Sequence, residues 1–405
     1  MLYFLFKGRI DRSVTERETL MNLKNYLQIL ICFILLFSIT VGYRGNAEGE
    51  SDYILPENGE HVHGFDLESA MSFFPPDTVM MSVGDAAITW AEFFVFLHNA
   101  IAQLSYGFMT ELDWNEEFFP GQTISESIMD FTSEHAFELL VFEYAVSELG
   151  VALSQEDLDL IQDDINAMIE SAESMDVLEE SLRDNGFMNL DVFKIIRSRD
   201  LIQWLLITTL YGEEISDISD DAIARYVEAN DYMRAQHILL AFLSEEDGYS
   251  LQEIDDNKAE LRVLIEDILT RLNERTGDDD FFDYFERLMW EYSDDPGMFT
   301  SPDGYLFQPN DMVEPFSDAC IALKPGQVSD IVVTSYGYHI ILRLPVNYDE
   351  VPFSMMYAGY DYSLRMLAII DDFESRMSHW RESMIVEYSP QFNSINLSEI
   401  FVWCD

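Results

Sequence analysis

The stretch Val332–Leu344, VVTSYGYHIILRL, decides how the chain is read. Val332 and Val333 are β-branched, Thr334 to Gly337 carry turn chemistry, and an apolar run follows to Leu344. This is the pattern of strand, tight turn, strand. His339 sits near the head of the second strand, where a buried imidazole needs partners for its ring nitrogens. The partner of His339, and whether the arrangement is structural or chemical, is the question from which the rest follows.

Outward from this hairpin, the preceding residues alternate between strand and helix signals. RAQHILLAF (Arg234–Phe242) reads as a strand. Asn257–Gly277 reads as an amphipathic helix with Leu261, Leu264, Ile265, Ile268 and Leu272 inward and Gly277 as its stop. DFFDYFERLMWEYS is a second helix, YLF a short strand, and VEPFSDACIALKPGQ a helix ending before Pro325-Gly326. Residues 232–346 therefore form a compact α+β domain. Upstream, residues 77–231 read as a mainly helical module opened by a Gly84-Asp85 hairpin, with a capping box from Thr89 to Glu92. Within it, Ser154 caps a helix whose stripe is Leu158, Ile161, Ile165 and Met168, and Ser219 caps another. Residues 347–405, a helix and an extended tail, are too few to bury a core of their own and are expected to pack back on the N-terminal helices.

The 405 residues carry a net charge of −54, and no Lys or Arg lies between Arg44 and Arg183. Phosphate binding needs a cationic surface, so nucleic acid is excluded as a partner. Of three cysteines, Cys32 lies in the N-terminal apolar run, and Cys320 and Cys404 are too few for a disulfide framework. Cys320, at helical spacing from Phe316 and Leu323, reads as a small apolar core residue. Met21–Ala47 has a short basic start at Lys24, an uncharged run over residues 25–43, and small residues Gly45 and Ala47. Residues 1–47 are read as an extension and a cleaved export signal, or else as a membrane anchor through residues 25–43. Either places the acidic body outside the cytoplasm. Residues 48–76 read as an acidic linker, whose His61 and His63 pair lacks further ligands for a metal.

RAQHILL, YSDDPG and PDGYLFQPNDMVEPFSDACIALKPGQVSDIVVTSYGYHIILRL, in this order, resemble the parvulin-type peptidyl-prolyl isomerases. The flanking pattern resembles the secreted PrsA/SurA-like foldases. The resemblance implies a four-stranded antiparallel sheet flanked by helices, beside a mainly helical chaperone domain. It implies a catalytic tetrad of His237, Asp295, Thr334 and His339, with the two histidines side by side on the central strands and each satisfying the other's ring nitrogen. It also implies a proline pocket of Met312 and Phe316, taken to be four apart on one helix face, supported by Phe307 and bordered by Tyr336. No cofactor and no metal are implied.

The implied chemistry is rotation about an X-Pro bond, whose barrier of roughly 20 kcal/mol comes from amide resonance. A site that binds the twisted amide better than either planar isomer suffices. The partners are unfolded or partly folded exported polypeptides with X-Pro bonds. Gly304 falls near a pocket position that is often leucine, which implies a more open rim; Tyr336 stands where some relatives carry serine. The stretch SEEDGYSLQEIDD (Ser244–Asp256) is read as an acidic loop that would repel a phosphorylated substrate, so the activity is not phospho-directed. The competing reading is a holdase chaperone with a catalytically weak parvulin domain.

Overall fold

The computed structural model describes residues 65–108, 113–172, 174–275, 281–358 and 362–402. The export segment, Cys32, His61, His63, Gly277 and Cys404 lie outside the described residues. The chain divides into two units, one of residues up to Leu140, Leu153–Gln203 and Val386–Asp405, the other of Val141–Ala152 and Trp204–Ile385.

In the first unit, strands β1 (Val79–Val83) and β2 (Ala86–Thr89) form the expected hairpin, with Gly84 at positive φ in the turn. Helix α2 (Trp90–Phe108) follows; the Glu92 carboxylate accepts from the Thr89 amide at 2.8 Å and from its hydroxyl at 2.7 Å. Glu92 is itself buried and pairs with Arg199 at 2.9 Å. The part of the expected linker that is described is built into this unit. Asp66 caps helix α1 (Leu67–Met71), and Phe65 is buried with its ring against Trp114 and Phe401. A further short pairing, β3 (Glu117–Phe119) with β4 (Gln122–Thr123), precedes helix α3 (Ile124–Glu148). Helix α4 (Gln155–Ser171) is capped by Ser154 as expected, but its stripe is narrower than the sequence suggests. Ile161 and Ile165 are buried, whereas Leu158, in the first turn, is exposed. Helix α5 (Met175–Asp184) and helix α6 (Leu190–Tyr211) as far as Gln203 complete the run.

The second unit carries the four-stranded antiparallel sheet, in the order β6-β5-β8-β7, flanked by helices as expected. Its strands are β5 (Met233–Ala241), β6 (Tyr305–Phe307), β7 (Val332–Val333) and β8 (Gly337–Leu344). Alternation along β5 and β8 sends Ile238, Leu240, Ile340, Leu342 and Leu344 to one face. There they pack on Ile265, Ile268 and Leu272 of helix α8 (Leu251–Asn273) and on Phe285, Leu288 and Met289 of helix α9 (Phe281–Tyr292). Each such fully buried side chain contributes about 1.5–3 kcal/mol relative to exposure. The opposite face holds Met233, Ala235 and Ile341 against Phe316 and Cys320 of helix α10 (Glu314–Ala322). Gly337 permits the close approach of β8 to β5, since a Cβ there would overlap the Leu240 carbonyl oxygen. Helices α7 (Asp220–Ala229) and α12 (Leu364–Glu382) meet beside Tyr232 and Leu306, and helix α11 (Phe353–Ala358) lies against β6.

Two boundaries differ from expectation. Helix α8 begins at Leu251, where Ser250 and Glu253 form a reciprocal capping box, so the second half of the acidic stretch is helix rather than loop. Helix α10 begins at Glu314 with Pro315 in its first turn, and Met312 is extended, outside the helix. Among the described residues, no helix is long and apolar enough to cross a membrane.

Candidate active site

The two histidines reach one face of the sheet by strand register. His237 is paired with Ile341 and Leu239 with His339, so the two rings sit diagonally on the face that carries Ala235 and Ile341. Their centroids are 5.3 Å apart at 86°, edge to face. They do not hydrogen-bond to each other, contrary to expectation, because this diagonal presents the edge of one ring to the face of the other. Each has a separate polar neighbour.

For His339 that neighbour is Thr334. Thr334 directly follows β7, and its amide donates to the Gly337 carbonyl across the two-residue Ser335-Tyr336 loop. Its Oγ1 lies 2.8 Å from His339 Nε2 and accepts from the Tyr336 amide at 3.1 Å. Burial, reinforced by the nearby His237, pushes the His339 value down to about 3, against a smaller upward pull from Asp295. His339 is therefore neutral at neutral pH.

For His237 the neighbour is Asp295, whose Oδ2 lies 3.1 Å from Nε2. The line of approach is too oblique for a well-formed N–H···O bond, and the contact is chiefly electrostatic. Asp295 follows helix α9 and caps the short 3-10 turn Pro296–Phe299, taking the Gly297 amide on Oδ1 at 3.0 Å. Burial alone would raise this carboxyl, but the facing His237 ring, the Tyr305 hydroxyl and the Gly297 amide outweigh it and hold the group down at about 2. An anionic carboxylate thus stands beside a pair of imidazoles.

Rings enclose the pair. Phe316 stands at 5.2 Å and 81° to His237 and at 5.7 Å and 78° to His339, with Phe307 behind it at 5.8 Å. Phe316 and Phe307 are both fully enclosed, so Phe307 offers no surface to a substrate and acts as backing for Phe316. Met312 is half-buried against the same cluster, although it reaches it from extended backbone and not from a shared helix face. The Tyr336 side chain is exposed at the hairpin tip, while its amide holds Thr334. Gly304 is not on a pocket rim: it is buried with φ of +105°, and a Cβ there would lie 2.7 Å from the Ala235 carbonyl oxygen. Glycine is required at this position for β6 to close on β5. Burial pushes the Cys320 thiol up to about 12, which makes it inert packing. Among the described residues, no group of three or more His, Cys, Asp or Glu is placed to hold a metal ion.

Tyr305 is the site residue that the sequence reading missed. Its hydroxyl donates to Asp295 Oδ2 at 2.6 Å, and its ring stacks on His237 at 5.9 Å and 26°. The signal lay in the strand register, since Tyr305 pairs with Ala235 and so shares the face of the histidines.

Residues 222–343 match the model of the PPIC-type PPIASE domain. The chain is 34% identical to the peptidyl-prolyl cis-trans isomerase Pin1 of Malus domestica over 125 residues, covering 28% of this chain and 95% of that one. It is 31% identical to the foldase protein PrsA of Geobacillus sp. (strain WCH70) over 171 residues, covering 41% of this chain and 51% of that one. The chain thus spans about half the length of that PrsA relative, and about a fifth of those from Geobacillus kaustophilus and Bacillus subtilis. Superposition on the crystal structure of PrsA from Bacillus cereus covers 80% of this chain and 99% of that one at 16% identity, with a TM-score of 0.31. The near-complete coverage of a relative at 34% identity, together with the domain match, shows that the chain belongs to the PPIC-type, or parvulin, family of peptidyl-prolyl isomerases.

Proposed function

We propose that the protein is an extracytoplasmic foldase that catalyses cis-trans isomerisation of X-Pro bonds in exported polypeptides, without phosphate direction. The observation that carries this reading is the convergence of His237, Asp295, Thr334 and His339 on one sheet face against Phe316 and Met312. The proline ring packs on the apolar side, led by Met312. The neutral His339 and anionic Asp295 give the amide a polar surround that responds as its resonance is lost. No bond is made or broken, so the site needs fixed dipoles and shape rather than a nucleophile. The connection from β5 to α8 carries Glu245, Glu246 and Asp247 and disfavours phosphorylated substrates.

A second reading, a holdase with a feeble isomerase domain, is favoured by one observation. Leu158, Leu160, Ile169, Met175, Val177 and Ile195 are exposed on the helices of the first unit, where an unfolded chain could lie. Turnover of a prolyl peptide by the full chain and by a His237→Ala variant separates the two. Loss of turnover in the variant, with refolding yield of a client retained, supports the isomerase. A wild-type chain that accelerates no prolyl peptide leaves the holdase.

Export rests on residues 1–47, as a cleaved signal or as an anchor through residues 25–43. Mass spectrometry of the cell-surface fraction tests it. A mature start near Glu48 supports cleavage, an intact N-terminus in the membrane fraction supports the anchor, and a cytoplasmic protein refutes both.

A further inference from the structure

The Asp295 carboxylate takes its shortest hydrogen bond from a tyrosine and not from its histidine. Its Oδ2 has two neighbours. His237 Nε2 approaches obliquely at 3.1 Å, whereas the Tyr305 hydroxyl donates at 2.6 Å. A short hydrogen bond to an ionised oxygen is the stronger kind. The remaining oxygen is fixed by the Gly297 amide, so the carboxylate has little rotational freedom. Tyr305 is fixed in turn. Its backbone is in β6, paired with β5 at Ala235, and its ring lies between His237 on one side and Phe353, at 5.5 Å and 89°, on another. Gly297 completes the seat, because a Cβ at that position would overlap the Tyr305 hydroxyl. Two residues separated in sequence are thus matched to one oxygen-to-oxygen contact.

We infer that Tyr305 is a positioning residue for the isomerase site, acting through Asp295 by fixing the orientation of its carboxylate beside His237. This rests on the isomerase reading above. Phe353, from the segment that follows the sheet, braces the tyrosine and makes that segment part of the site's support. The titratable groups facing Asp295 are His237 on β5, His339 on β8 and Tyr305 on β6; Asp294 beside it is turned to the Ala241 amide, 2.9 Å away. Removing the hydroxyl leaves the carboxylate one donor short. Its protonation midpoint should therefore rise, by about one pH unit if the bond has the usual strength of one to a charged group.

The test is a double-mutant cycle on the full chain, with isomerisation of a prolyl peptide as one readout and the carboxyl carbon resonance of Asp295 against pH as another. Tyr305→Phe should lower kcat by about tenfold, with KM little changed, and raise the Asp295 midpoint. In an Asp295→Ala background the same change should have no further effect, which a purely structural tyrosine would not obey. Gly297→Ala should destabilise the protein, and Tyr305→Phe should restore part of that loss by removing the clashing oxygen. Multiplicative losses in the cycle, or an Asp295 titration unmoved by Tyr305→Phe, overturn the inference while the wild-type chain stays active. A wild-type chain without isomerase activity overturns the isomerase reading, and this inference with it.

Discussion

Acidification should unlock the sheet at His339. Its value is about 3 in the folded chain against 6.5 when unfolded, because the buried ring cannot readily carry charge. The unfolded chain then takes up the proton first. The stability this group contributes is complete above about pH 6.5, declines as the pH falls, and is exhausted near pH 3. Between pH 7 and 4.5 the loss amounts to about 2–3 kcal/mol, a large share of the stability of an ordinary domain. Asp295 adds its own loss only below about pH 4, as the pH falls toward its folded value of about 2, so the upper window belongs to the histidine. The many surface carboxylates also titrate, and their relaxing repulsion works in the opposite direction. A His339→Gln variant shares that background, keeps a polar group toward Thr334, and cannot titrate. Amide hydrogen exchange of β8, corrected for intrinsic rates, reads the opening of this unit alone. The free-energy difference between wild type and variant should shift against the wild type by about 2–3 kcal/mol from pH 7 to 4.5. A difference that stays constant over this range would refute the claim that His339 is held neutral by burial.

Phe316→Ala should cost about 3–5 kcal/mol in denaturant unfolding, since the ring is enclosed by both histidines and Phe307. Met312→Ala, at a half-buried position, should instead lower turnover while the melting temperature holds; full activity would remove Met312 from the pocket. Tyr336→Ala should leave stability unchanged, because its amide and not its side chain holds Thr334, and should raise KM if the ring touches substrate. Lys-Pro peptides should be captured faster than Glu-Pro peptides at low salt. The ratio should fall toward unity as ions screen exposed charges over about 8–10 Å, and a ratio indifferent to salt would leave the acidity without a role in capture.

The strands and caps were legible because they are local. Alternation in RAQHILL and YHIILRL, the Ser154 and Ser219 caps, and the Gly84-Asp85 turn each state their geometry within a few residues. Errors arose where position depends on distant contacts. Spacing of four between Met312 and Phe316 suggested one helix face, but Pro315 marks a first turn, and the chain before it is extended. The histidines were brought to one face by alternation, yet the diagonal of the register set their rings edge to face, which no local pattern records. Gly304 suggested an open rim by comparison with leucine, when its positive φ and the nearness of Ala235 make it a backbone necessity. Tyr305 escaped because its link to Asp295 spans a loop, and only the pairing of β6 with β5 discloses it.

The pairing of Met81 and Ser82 with Tyr388 and Glu387 has a consequence for how the molecule is made. The first unit is discontinuous: β1 is synthesised before the second unit, and β9 (Glu387–Tyr388), which lines its open edge, after it. The whole of the second unit must leave the ribosome in between. During that interval β1 offers a row of unpaired amides and carbonyls, the kind of template to which foreign strands add. Nascent chains therefore carry this open edge until Glu387 and Tyr388 emerge, and a nonsense mutation upstream of Val386 would make that exposure permanent. The truncated chain would then itself be in need of a chaperone.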